Sequence, residues 1–302
     1  MRCCALSYVF VERRRIWSSG LRTSWMADSF PRNSDLPKQS PFFWVTHKDR
    51  YLRQLLIRDI QELTGRELVV YFTDTERTNA QIDQGDDQYL FELLRQRKSE
   101  EVDLLLETNG GFTDPTEKIC SILRQMAPKL RVIVPRRAKS NGTVIALCGQ
   151  KLVMSATSEL GPIDPHLSGT PIEFILNAPP GSVDPIMVQV AQSFRNQTRK
   201  LAGDLLRTGM LAGRETEVAD VVEKLASRNH YHSHGSVVDS KEAAKLGLDV
   251  IDLAHDDELW QKIWLLRTMY AYDCARNGHA KVFEGQVVSL AVADVASAPP
   301  SS

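Results

Sequence analysis

The sequence predicts an α/β fold with a mostly parallel central sheet and helices packed against it. Helical and strand patterns alternate, their connections are short, and the first strand candidate, Leu68 to Phe72, is a continuous apolar run, the signature of a buried strand. The first helix spans about Lys48 to Leu63, where Tyr51, Leu52, Leu55, Leu56, Ile60 and Leu63 recur at helical spacing and Gly65 follows as a stop. Leu68 to Phe72 reads as a buried strand. The pattern then repeats: helix from about Asp86 to Arg97, strand Val102 to Glu107, helix from about Asp114 to Met126, strand Leu130 to Val134, helix from about Ser140 to Gly149, strand Lys151 to Met154. Beyond Pro179 long helical patterns take over, to about Arg207 and from Val218 to Leu225. A helix around Lys241 to Leu246 stops at Gly247, Val250 to Leu253 reads as a last strand, and Asp257 to Tyr272 as a terminal helix.

Composition narrows the function classes. The 302 residues carry 37 Lys and Arg against 38 Asp and Glu, a formal charge of −1, so there is no general electrostatic attraction to nucleic acid. With 42% apolar and 25% charged residues the chain can bury a sizeable core. No stretch reaches the roughly 18 apolar residues of a membrane-spanning helix. The cysteines Cys3, Cys4, Cys120, Cys148 and Cys274 are odd in number and lack zinc-ligand spacing, which favours a reducing cytoplasm. Residues 1–25 are rich in arginine and short in acids. They fit a targeting segment, or a leader upstream of a start at Met26; organellar import would rest on them, and membrane association on them or on a partner. The expected organisation is a leader over 1–45, one domain over 46–285 and a disordered tail over 286–302.

In such a fold, ligands meet the loops at the carboxyl ends of the strands, and the informative residues cluster there. Thr108-Asn109-Gly110-Gly111 precedes a helix, and paired glycines can turn amides toward an oxyanion or phosphate; the P-loop and GxGxxG spacings are absent. Ser140, in Ala138-Lys139-Ser140-Asn141-Gly142-Thr143, reads either as an N-cap or as a nucleophile beside peptide dipoles. Asp164 lies in the rigid loop Gly161-Pro162-Ile163-Asp164-Pro165-His166, as a turn residue or one that orients a partner. His230-Tyr231-His232-Ser233-His234 lacks acidic or cysteine companions at ligand spacing, so a metal is not expected; a histidine within reach of Ser140 would serve as general base.

Taken together, Leu104 to Gly111, Ile133 to Thr143, Ser158 to Pro165, and Ser233-His234-Gly235 with Glu242-Ala243 and Leu246-Gly247-Leu248 resemble the serine dehydrogenase proteinase family, of the Clp-protease/crotonase-like superfamily. The likeness covers about Leu63 to Leu253. It implies repeated β-β-α and βα units with extra C-terminal helices, a serine peptidase activity without cofactor, a peptide or protein substrate, and a homo-oligomer. On the family's pattern Ser140 is the nucleophile and Gly110 and Gly111 form the oxyanion loop. In the related Clp proteolytic subunit, histidine comes from the first of two later positions and aspartate from the second; here those positions hold Asp164 and His234, so their roles are expected to be exchanged. His166 and Lys151 are the secondary candidates for the base. Asn141, His166, Glu107 and Asn109 depart from the usual residues, leaving specificity open. The other readings are a crotonase-like acyl-CoA enzyme and a non-catalytic oligomeric scaffold.

Overall fold

A computed structural model of the chain describes residues 40–77 and 79–294; the arginine-rich segment and most of the expected leader lie outside them. Helices α1 (Pro41–Thr46) and α2 (Lys48–Thr64) lead into strand β1 (Glu67–Thr73), and Gly65 closes α2 in the left-handed conformation. Then come α3 (Asp86–Leu94), β2 (Glu101–Glu107), α4 (Thr113–Met126), β3 (Lys129–Ile133), β4 (Arg137–Ala138), α5 (Asn141–Ala146), β5 (Lys151–Met154) and β6 (Glu159–Leu160). A small hairpin, β7 (His166–Leu167) and β8 (Thr170–Pro171), precedes α6 (Ile172–Leu176), α7 (Pro185–Thr208) and α8 (Glu215–Ala226). The chain closes through α9 (Ser240–Lys245), β9 (Val250–Asp252), α10 (Glu258–Asn277), β10 (His279–Glu284) and β11 (Ser289–Ala293).

The seven-stranded sheet has the order β11-β10-β1-β2-β3-β5-β9. Strands β1, β2, β3, β5 and β9 are parallel, as expected, and β10 and β11 add an antiparallel edge beside β1. The strand alternation sorts the core into two layers. Val69 and Tyr71 pack with residues of α3, α4, α5, α7 and α8, whereas Leu68, Val70 and Phe72 pack with Ile57 and Ile60 of α2 and Trp260, Ile263, Leu266 and Tyr270 of α10.

Three expectations are corrected. Val250 to Leu253 is not the last strand, and the tail expected from residue 286 contains β11. The reason is that β10 buries charges: Lys281 pairs with Asp86 at 2.8 Å, and Glu284 accepts from Arg53 at 2.7 Å and from the Tyr270 hydroxyl at 2.6 Å. Lys281 interrupts Ala280, Val282 and Phe283, so β10 offers no uninterrupted apolar run of the kind that Leu104-Leu105-Leu106 gives β2. At the other end, α1 buries Trp44 against Tyr51 and Leu55, so the ordered region begins ahead of residue 46.

Candidate active site

The carboxyl end of β2 is fixed first. Glu107 is fully buried, and Arg267 of α10 grips its carboxylate with Nε and Nη2 at 2.8 and 2.5 Å, a bidentate pair that holds a guanidinium in one plane. Burial pushes the Glu107 carboxyl up and the Arg267 contact opposes this. Just beyond, Asn109 donates from Nδ2 to Thr75 O at 2.7 Å, and the Gly-Gly turn follows.

That turn has two sides. Ile82 N–H donates to Gly110 O at 2.8 Å, and Phe112 N–H donates to Ile82 O at 3.0 Å. In extended backbone a residue's own N–H and C=O point to the same side, opposite to those of the flanking peptides. Gly111 therefore presents both groups away from Ile82, and its carbonyl accepts from Asn141 Nδ2 at 2.6 Å. The Gly110 amide is already engaged, donating to Thr108 Oγ1 at 3.1 Å. Of the two expected oxyanion donors, Gly111 has its amide turned away from Ile82, whereas the Gly110 amide is engaged by Thr108.

Ser140 sits between β4 and α5. Strand β4 is held on one side by Thr108, through Thr108 N–H to Arg137 O and Lys139 N–H to Thr108 O, and on the other by β6. Thr143 locks the next turn, its buried hydroxyl 2.7 Å from Ala138 O and accepting from Gly161 N–H at 3.0 Å. Between these anchors Ser140 adopts φ 54° and ψ −122°, a conformation that a non-glycine residue holds at a cost of about 1–3 kcal/mol. Its side chain makes no capping bond to α5, so the N-cap reading is not the one adopted. Strain without a cap marks Ser140 as a candidate functional residue.

His234 and Asp164 arrive on two paired segments. Leu160 and Val238 exchange backbone hydrogen bonds at 2.9 and 3.1 Å, setting the His234 loop against the Asp164 loop. Lys139 adds a tie, with Nζ donating to Ser236 O at 2.9 Å and lying 3.0 Å from Glu159 Oε2. The outcome is a 2.6 Å hydrogen bond from His234 Nδ1 to Asp164 Oδ1, with Asp164 buried. A proton on Nδ1 leaves the Nε2 lone pair free.

Ser140, His234, His166, Gly111, Asn141 and Thr113 line one cavity of about 490 Å³, together with Phe112, Ile163, Pro165, Phe194 and Thr198. Lys151 does not join them; it is exposed at the amino end of β5, paired in register with Arg131. His166 is close, its ring edge-on to His234 with centroids 4.3 Å apart, but both its nitrogens are occupied. Nδ1 lies 3.1 Å from Asp164 O, and Nε2 lies 3.4 Å from Arg228 Nη2.

The three histidines of the His-x-His-x-His tract diverge: His232 Nδ1 turns to Arg228 O, and His230 packs edge-on to Tyr231. Asp164, His166 and His234 do place ligand atoms within 4.8 Å of one another. Arg228, 3.1 Å from Asp164 Oδ2, already brings a positive charge to that spot, which opposes a cation there.

Burial, and then His234, hold the His166 imidazole below its ordinary value; burial and then Arg53 do the same for His279. Unfolded histidines protonate near pH 6.5. The lowered folded values mean that this stability is present above about pH 6.5 and is lost as pH falls through that value towards them. The urea midpoint is expected to decline from about pH 7 to pH 5, and the double variant H166N/H279N to flatten the decline. An unaltered slope in that variant contradicts the assignment.

The class defined here is an α/β protein with a serine, a histidine and a buried aspartate assembled at the carboxyl ends of parallel strands. The chain belongs to the ClpP-like SDH-type serine proteinase family, which it matches over residues 81–279. An uncharacterized protein of Methanocaldococcus jannaschii is 28% identical over 188 residues, 60% of this chain and 62% of its own length. A second from that organism is 27% identical over 155 residues, 49% of this chain and 51% of its own. The chain thus spans less than two thirds of either relative. Among the described residues, no helix is long and apolar enough to cross a membrane.

Proposed function

We propose that this chain hydrolyses peptide bonds through an acyl-enzyme on Ser140. The observation that carries this is the strained, uncapped Ser140 sharing a cavity with a histidine whose Nδ1 is held by a buried carboxylate. Ser140 Oγ attacks the peptide carbonyl while His234 Nε2 takes its proton. Asp164 fixes the tautomer and stabilises the imidazolium. The Gly111 N–H, aimed away from Ile82, receives the developing oxyanion. The tetrahedral intermediate collapses with the proton passing to the leaving amine; water, activated by the same His234, then hydrolyses the ester and frees Ser140. No step calls for a metal or organic cofactor. His166, with both nitrogens occupied, is the weaker candidate for the base.

The cavity wall favours an apolar substrate side chain, since Phe112, Ile163, Pro165 and Phe194 supply much of its lining. Its lining among the described residues includes no lysine or arginine to meet the phosphates of an acyl-CoA. Assembly with further copies would draw on α7, whose Ile186 and Met187 are 70% and 42% exposed. The test is cleavage of a fluorogenic peptide library by the full chain, with identical peptides offered to Ser140→Ala. Cleavage beside apolar residues, absent in the variant, is expected. Cleavage surviving in Ser140→Ala, or hydrolysis of acyl-CoA thioesters alone, would overturn the reading.

A further inference from the structure

We infer that Arg228 is a positioning residue for the Asp164–His234 pair, an inference that rests on the peptidase reading above. Arg228 follows α8, and its backbone N–H is anchored independently of its side chain, donating to Glu173 Oε2 at 3.0 Å. The guanidinium then addresses three acceptors with three different nitrogens. Nε donates to Asp164 Oδ2 at 3.1 Å, Nη1 to the His232 carbonyl at 2.8 Å, and Nη2 points to His166 Nε2 at 3.4 Å. The Phe174 ring lies 5.3 Å from the guanidinium carbon, a cation–π contact that further fixes its plane.

Each contact bears on the geometry of His234. Occupying Oδ2 with a cationic donor leaves Oδ1 for the His234 N–H and sets the rotation of the carboxylate. Holding the His232 carbonyl fixes the turn two residues before His234, so one planar fork spans the segment carrying the acid and the segment carrying the base. The third contact gives His166 a donor at Nε2 and so places its proton on Nδ1, facing the Asp164 carbonyl. His166 is thereby kept neutral against the His234 ring and withheld from competition for the aspartate. A lysine retains the charge but supplies no fork, and a glutamine loses the charge.

The experiment compares wild type, Arg228→Gln and Arg228→Lys for the rate of Ser140 labelling by a fluorophosphonate and for the imidazole nitrogen NMR resonances of His166 and His234. Circular dichroism checks the fold of each protein. Arg228→Gln is expected to label at least about tenfold more slowly, the scale seen when the partner orienting a functional histidine is removed, with part of the rate regained in Arg228→Lys. His166 and His234 are expected to move from the Nδ1–H form toward mixed tautomers in the Gln variant. Labelling at the wild-type rate with both sets of resonances unmoved overturns the inference. A wild-type chain that resists the probe, while the Gln variant still shifts the resonances, overturns the peptidase reading and upholds the positioning role. Should Arg228→Gln fail to fold, the Lys variant decides: resonances and rate identical to wild type reject a role for the fork.

Discussion

Replacing His234 with alanine is expected to slow fluorophosphonate labelling of Ser140 by roughly a hundred- to ten-thousand-fold, the span that a positioned general base contributes. The variant should fold normally, because His234 is partly exposed and the Leu160–Val238 pairing beside it is made by backbone. Without the imidazole, Ser140 must transfer its proton to water. His166 offers no ready substitute while Asp164 O and Arg228 occupy its nitrogens. Labelling in His234→Ala at a rate near wild type, followed by its loss in His166→Ala, would move the base to His166 and contradict the tautomer argument.

The second large effect is expected at Gly110. The residue has φ +99°, and a Cβ placed there would lie 2.8 Å from both Lys139 O and Ser140 Cβ. Gly110→Ala therefore combines a conformation that costs an L-residue about 1–3 kcal/mol with a clash against backbone that cannot swing aside. The relief available is to push the Ser140 segment away from Gly111, separating the proposed nucleophile from the proposed oxyanion donor. The expected result is a fall in thermal midpoint together with loss of labelling, even at temperatures where circular dichroism reports a folded chain. Gly110→Ala with wild-type stability and labelling would show that the close approach is dispensable. Gly111 is equally confined, since a Cβ there would meet the backbone of Ile82.

The parallel sheet was legible because Leu68 to Phe72, Leu104 to Leu106 and Val132 to Val134 are continuous apolar runs buried in the sheet. The antiparallel pair of β10 and β11 was not, because Lys281 and Glu284 turn inward on partners, Asp86 and Arg53, that lie far away in sequence. The same distinction runs through the site. Ser140, Asp164 and His234 could be singled out by chemical type and by the loops that carry them. Their juxtaposition depends on the Leu160–Val238 pairing and on Lys139, neither of which leaves a local pattern. Arg228 is one arginine after an amphipathic helix, with no spacing to mark it. Gly110 and Gly111 looked equivalent until Thr108 Oγ1 took up one amide and Ile82 set the direction of the other.

The most direct test of the account is to treat the full-length chain with a fluorophosphonate and locate the adduct by mass spectrometry, with Ser140→Ala as the control. The proposed role of Ser140 as a nucleophile served by the Asp164–His234 pair, whose histidine shares its cavity, predicts one adduct, on Ser140, that disappears in the variant. No adduct on folded wild-type protein, or an adduct on another serine that persists in Ser140→Ala, would contradict the central claim.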